Sequence, residues 1–140
     1  MTVLALDLGT RRIGVALSDP SESFALPLAV IERTNLRSDV ARVLSLAQDH
    51  SASELVIGDP LRLTGERASA SDAVDRFIAK LEREFEGKIH RVDERLTTAQ
   101  ATRTLIEANV SRSRRKRVVD KVAATLILET FLSRRGRMRS

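Results

Sequence analysis

The chain has 140 residues and is 42% hydrophobic, which suits one ordinary domain and excludes a disordered chain. No apolar run approaches the roughly 20 residues that cross a membrane. The first residues lack the basic leader and cleavage site of a signal peptide. Because there is no cysteine, disulfides and thiolate metal sites are excluded, as is typical of a cytoplasmic protein. We expect a single domain over residues 1–140, with a frayed basic tail at 134–140.

The excess of positive charge indicates what kind of molecule the protein binds. The formal net charge is +5 and the sequence pI is about 10.6, with arginine supplying most of the excess. A pI this high is typical of proteins that bind nucleic acid, and the planar guanidinium of arginine matches phosphate. The chain has no Trp or Tyr and only four Phe, so base stacking on aromatic rings is not expected. The composition predicts binding through phosphate contacts and shape; a basic ribosome-associated protein is the alternative.

The predicted elements follow one another as β-β-β-α-β-α-β-α-α. Period-2 runs and turn residues predict strands at 3–6, 12–17, 25–32, 55–57 and 89–92. Apolar residues at helical spacing predict helices at 35–49, 70–85, from Thr97 or Thr98 to 108, and at 118–132, with a basic loop at 111–117. Gly87 is expected to end the second helix, and Gly58 and Pro60 to stop the fourth strand. Three successive strands imply antiparallel pairing and the later alternation implies parallel pairing, so we expect a mixed five-stranded sheet with helices on both faces.

Three acids stand where strands end or a helix begins. Asp7 follows the first strand, Glu94 follows the fifth, and Asp120 lies in the first turn of the last predicted helix. If the two strands are neighbours, the three carboxylates meet at one edge of the sheet, where they repel one another unless a cation is present. Oxygen ligands of this kind suit Mg²⁺ or Mn²⁺. Each acid also has a structural interpretation: a turn, a surface ion pair or favourable helix N-terminal chemistry.

Four motifs in order resemble the YqgF/RuvX family. They are LDLGTRRIGVA at 6–16, IGDPL at 57–61 with Gly65 after it, VDERLTT at 92–98, and DKVAA at 120–124 followed by Ile127 and Leu128. The resemblance covers nearly the whole chain. It implies an α/β protein of the RNase H-like fold, similar to Holliday-junction resolvases. The family is described as a nuclease for the 5′ end of pre-16S rRNA, and some members are associated with cleavage of Holliday junctions.

The resemblance implies roles for the acids. Asp7, Glu94 and Asp120 match the family's catalytic acids and would hold Mg²⁺ or Mn²⁺, with two ions in a two-metal nuclease. The implied partners are pre-rRNA, within precursor ribosomal particles, or branched DNA, with the protein as a monomer or homodimer. Two positions depart from related patterns. Asp59 replaces the leucine of a usual Gly-Leu-Pro, as an outer carboxylate or a turn residue, and Ala123 stands where classical resolvases carry a fourth acid.

Further residues are expected to support this site. Gly9, Gly14, Gly58 and Pro60 would shape loops and allow close approach of phosphate or metal. A larger group, mostly basic, is expected to bind nucleic acid: Arg11, Arg12, Arg95, Thr98, Arg112, Arg114, Arg115, Lys116 and Arg117. Solvated arginines, and a helix cap at Thr98, remain the alternatives. His50 and His90 lack ligand spacing and are predicted to lie on the surface.

Two other functions compete with a nuclease. The Asp-Leu-Gly-Thr sequence also opens the phosphate-binding strand of the actin, Hsp70 and sugar-kinase fold, but such proteins need two lobes and a second glycine-rich loop. A non-catalytic RNA-binding factor is the other candidate. Three retained acids argue against it, because a phosphate-binding surface gains nothing from them.

Overall fold

The computed structural model describes residues 2–9, 11–59, 69–93 and 112–139. The strands are β1 (Thr2–Leu8), β2 (Arg12–Ser18), β3 (Ala25–Glu32), β4 (Ala52–Asp59) and β5 (Lys88–Asp93), and the helices are α1 (Leu36–Asp49), α2 (Ser69–Glu84) and α3 (Arg112–Arg139). The helix predicted at 97–108 lies outside the described residues.

The five strands form one mixed sheet in the order β3-β2-β1-β4-β5. β1 pairs antiparallel with β2, and β2 pairs antiparallel with β3. β4 lies parallel to β1, and β5 lies parallel to β4. The predicted mixture of antiparallel and parallel strands is confirmed. The parallel strands β1, β4 and β5 therefore bring their carboxyl ends to one edge, which we call the carboxyl edge.

Two helices cover one face of the sheet. Leu4 and Leu6 of β1 pack with Val40 of α1 and with Phe77 and Leu81 of α2 in the larger apolar cluster. Val40 and Val43 of α1 are three positions apart, and Phe77 and Leu81 of α2 are four apart, so each pair shares one stripe of its helix. The side chain of Asn35 accepts a hydrogen bond from the backbone N–H of Ser38, so Asn35 caps α1 and is not its first helical residue.

The other face is covered by α3. Val3 and Ala5 of β1 alternate with the leucines above and pack in a second cluster with Ala124, Ile127 and Leu128 of α3. Helices therefore lie on both faces, as predicted. Although α3 has 28 residues, neither it nor another helix in the described ranges is apolar enough to span a membrane.

The structure corrects the predicted ends of several elements. The segment at 112–117 is helical from Arg112 onward, although a basic loop was predicted, and α3 continues through Arg139, where we expected a frayed tail. Arginine and lysine are good helix formers, so a helix can continue without an apolar stripe. Gly58 lies within β4 and does not stop it.

Gly87 has a packing role that the sequence did not predict. α2 ends at Glu84, so Gly87 lies beyond the helix end that we assigned to it. A Cβ atom at this position would lie 2.0 Å from the carbonyl oxygen of Ser53. The glycine is needed because the chain passes close to the start of β4.

Candidate active site at the carboxyl edge of the sheet

Asp7 is a buried acid at the carboxyl edge. It is the second-last residue of β1 and is only 3% exposed. Because side chains alternate along a strand, Asp7 lies on the same face as Val3 and Ala5, which pack against α3. Asp7 is therefore a buried acid on the α3 side of the carboxyl edge, and this edge is the candidate site.

Glycines flank Asp7 on both neighbouring strands. Gly14 of β2 is its direct partner across the antiparallel pair. On the other side Leu6 pairs with Ile57, so Gly58 is the next residue of β4 at the level of Asp7. Neither position contributes a side chain beside the carboxylate. The structure thus places Gly14 and Gly58 in strands and not in loops, where they keep the surroundings of Asp7 small.

The neighbouring strands end at the same edge. Asp59 and Asp93 are the last residues of β4 and β5 and pair with each other. Glu94 follows Asp93 directly but lies outside the described residues, as do Pro60, Arg95 and Thr98. Asp120 lies in the described backbone of α3, and the structure describes no side chain for it or for 112–117. Among the side chains that are described, no group of three His, Asp or Glu could hold a metal, so the triad stays a prediction.

The loop after β1 is a tight turn. The backbone N–H of Gly9 donates to the carbonyl of Arg12 at 2.9 Å. A Cβ atom on Gly9 would lie 2.7 Å from that same oxygen, so this close approach requires glycine. Arg11 is exposed beside the turn. Arg12 is half-buried, and its Nε donates to Glu32 at 3.0 Å, so Arg12 already has a carboxylate partner.

Sequence reasoning missed an ion pair that reaches this loop. Arg33 donates to the buried carboxylate of Asp39 at 3.0 Å and to the carbonyl of Gly9 at 2.9 Å. Asp39 follows the cap residue Asn35 by four positions and reads from the sequence as ordinary first-turn chemistry. Its burial, at 1% exposure, is what distinguishes it.

A second network was also missed, at the opposite end of the sheet. Arg135 of α3 donates to both carboxylate oxygens of Glu54 at 2.7 Å and to Glu22. His90 contacts the same Glu54 carboxylate at 2.9 Å and stacks against Phe131. His90, whose side chain is 30% exposed, thus lies only partly at the surface where we predicted it, whereas His50 is exposed as expected.

This network changes the ionisation of Glu54. The hydrogen bonds from Arg135 lower the pKa of Glu54 from 4.5 to about 2; burial opposes the change and His90 adds to it. The same contacts raise the pKa of Arg135. The charged groups of this network are already hydrogen-bonded to one another, so we assign it a structural and not a catalytic role, in which the loss of one partner would leave the other charge unpaired.

Comparison with known proteins identifies the family. The model of the RuvX family, described as Holliday junction resolvase, matches residues 1–134. The chain belongs to this family. A Moorella thermoacetica relative is 44% identical over 136 residues, covering 97% of both chains, and a Koribacter versatilis relative is 44% identical over 134 residues, covering 96% of this chain and 88% of the relative. Both are named "Putative pre-16S rRNA nuclease".

Solved structures confirm the fold prediction. The chain aligns with Thermus thermophilus RuvC, solved in complex with a Holliday junction substrate, at a TM-score of 0.59 and 13% identity, covering 97% of each chain. The fowlpox virus Holliday junction resolvase aligns at a TM-score of 0.57 and 14% identity, covering 95% of this RuvX-family chain and 99% of the viral one. At such low identity the likeness shows the RNase H-like fold alone.

Proposed function

We propose that this RuvX-family protein is a metal-dependent phosphodiester hydrolase that processes the 5′ end of pre-16S rRNA. The observation that carries the proposal is Asp7, a buried acid at the carboxyl edge, flanked by Gly14 and Gly58 and facing α3. Because neither glycine has a side chain, the two neighbouring strands leave space beside the carboxylate for a cation and a phosphate.

Sequence spacing supports two further acids as members of the site. Glu94 comes two residues after Val92, whose side chain packs in the cluster beneath α3. Asp120 is four residues before Ala124, which packs in that cluster too. The sequence pattern thus supports the proposal that the three acids share the side of the sheet that α3 covers.

The direction of α3 supports the same grouping. Arg135 contacts Glu54 near the start of β4, at the end of the sheet opposite Asp7. Asp120 precedes Arg135 by fifteen residues of one continuous helix, or about 22 Å. That length carries α3 back toward the carboxyl edge.

The donor set suits a hard divalent cation. Carboxylate oxygens are the ligands that Mg²⁺ and Mn²⁺ prefer. Bound between Asp7, Glu94 and Asp120, one or two such ions would supply Lewis acidity for phosphodiester hydrolysis. The protein's own part is to hold the acids beside the scissile phosphate and to bind the flanking backbone through Arg11 and the basic segment 112–117.

The rRNA substrate is favoured by the relatives' name, and a four-way DNA junction is the second candidate because of the family description. Resolving a junction takes two matched cuts and hence a homodimer, whereas trimming RNA within a precursor particle suits a monomer. The cysteine-free chain fits activity in the reducing cytoplasm.

The test compares wild type, Asp7→Asn and Asp49→Asn on a 5′-extended 16S rRNA fragment and on a four-way DNA junction, with Mg²⁺ or Mn²⁺. Asp49 is an exposed acid at the end of α1, so its substitution is a matched control. We expect cleavage by wild type and Asp49→Asn, and none by Asp7→Asn, which still binds. Equal rates for Asp7→Asn and wild type would refute the site; cleavage of the junction alone would select the DNA alternative.

A further inference from the structure

We infer that Arg33 is a positioning residue that, held by Asp39, fixes the loop immediately after Asp7. The inference rests on the proposed function, because it gives that loop its role beside the catalytic acid. Arg33 lies in the connection between β3 and α1.

Arg33 forms two hydrogen bonds with the loop that follows β1. The backbone N–H of Arg33 donates to the carbonyl of Arg11 at 2.8 Å, and its Nη1 donates to the carbonyl of Gly9 at 2.9 Å. Gly9 in turn donates to Arg12, which closes the turn. Arg33 therefore binds carbonyl groups on both sides of the turn that follows β1.

The guanidinium of Arg33 is itself fixed. Its Nε donates to one oxygen of Asp39 at 3.0 Å, and the backbone N–H of Thr34 donates to the other oxygen at 3.0 Å. The guanidinium carbon lies 5.8 Å from the centre of the Phe77 ring. With both oxygens of Asp39 occupied and the carboxylate buried, the arginine has little freedom to turn away.

An apolar pair could join α1 to the sheet at least as well. Replacing a buried ion pair by well-packed apolar residues is often neutral or stabilising. What an apolar side chain cannot do is donate the hydrogen bond that Nη1 of Arg33 gives to the carbonyl of Gly9, whereas the backbone N–H of residue 33 donates to Arg11 with any side chain. The charges at Arg33 and Asp39 thus have a use that packing alone does not explain, which is to fix the carbonyl group of Gly9.

If Arg33 positions this loop, its loss should lower kcat without changing KM. Asp7 lies two residues before Gly9, so a loop that loses its hold on Arg33 displaces the acid from its reacting geometry. A misplacement of about 1 Å can cost about 100-fold in rate. We expect Arg33→Gln to lower kcat by about 10- to 100-fold and to leave KM for the RNA unchanged, because the variant keeps the backbone N–H that donates to Arg11, the proposed phosphate contact.

The experiment uses the full chain and a matched control. Arg135→Gln also removes an arginine from a buried carboxylate, but at the far end of the sheet. Steady-state kinetics, normalised to folded protein by circular dichroism, are measured for wild type and both variants. Hydrogen exchange of the Gly9 amide, which donates to Arg12, reports the order of the loop without any need for activity.

We expect Arg33→Gln to lower kcat and to speed Gly9 exchange at least tenfold, and Arg135→Gln to do neither. Arg33→Lys keeps the positive charge but lacks the planar guanidinium with its several N–H donors, so its kcat should lie between those of Arg33→Gln and wild type. A kcat within twofold of wild type, or an equal loss in Arg135→Gln, would overturn the inference. A wild type that cuts nothing would refute the proposed function, while Gly9 exchange would still decide whether Arg33 orders the loop.

Discussion

Substitution of Glu54 by glutamine should destabilise the protein by a calculable amount. Its side chain is 10% exposed and receives hydrogen bonds from Arg135, which lower its pKa from 4.5 to about 2. A difference of this size between folded and unfolded chains corresponds to about 3 kcal/mol at neutral pH. Glutamine keeps the shape and removes the charge, so Glu54→Gln should lose most of that stabilisation.

The stability lost in Glu54→Gln should become smaller as the pH falls. Because the folded pKa of Glu54 is below the unfolded value, its stabilisation is complete above pH 4.5 and is lost as the pH falls toward 2. At pH 3 the same relation leaves about 1.4 kcal/mol, less than half of the neutral value. The gap between wild type and Glu54→Gln should therefore narrow as the solution is acidified.

Urea unfolding at pH 7, 5, 4 and 3, followed by circular dichroism, measures this gap. Glu32→Gln is the matched control, because Glu32 forms an ion pair with Arg12 but its side chain is 56% exposed, and such surface pairs contribute about 0–1 kcal/mol. If Glu54→Gln were as stable as Glu32→Gln at pH 7, or if its deficit were the same at pH 3, the assignment of Glu54 to a stabilising ion network would be wrong.

Two further predictions concern binding and the core. Replacing Arg114, Arg115 and Arg117 by glutamine should weaken RNA binding and reduce its salt dependence, by a slope of about 2 if each contacts a phosphate, as filter binding over a series of KCl concentrations would show; an unchanged slope would exclude the segment from the interface. Leu81→Ala should cost about 2–5 kcal/mol in urea unfolding, because Leu81 is fully buried where α2 meets the sheet, and a loss below 1 kcal/mol would contradict that packing.

The strands and the first two helices were predictable because each buries a face. When one face of an element is buried, apolar residues recur at every second position of a strand or at every third and fourth position of a helix. This pattern is visible in the sequence, for example at Leu4 and Leu6 of β1 and at Phe77 and Leu81 of α2. The start of α3 has no such pattern. Residues 111–117 contain no apolar residue, so periodicity could not distinguish a helix from a basic loop there.

The candidate acids were accessible to sequence reasoning in a way that the ion networks were not. Asp7 follows an apolar run and belongs to a motif, whereas Glu54 and Arg135 are 81 residues apart and belong to none. One signal was present: Glu54 is two residues before Val56, so it shares the α3 face, and a charge there needs a partner. The sequence did not say which cation it would be, because any arginine of α3 on the facing stripe could reach it.

The partners of the arginines also limit what the net charge means. Arg12, Arg33 and Arg135 each form an ion pair with a carboxylate, and Arg91 does the same with Asp75. An arginine bound in this way contributes to the pI but releases no counterion from a phosphate backbone. The salt dependence of RNA binding should therefore follow the exposed Arg11 and the basic segment at 112–117, and not the total of basic residues. Substitution of Arg33 or Arg135 would then leave the salt dependence of RNA binding unchanged. The first substitution would lower the rate of cleavage, and the second would lower the stability of the fold.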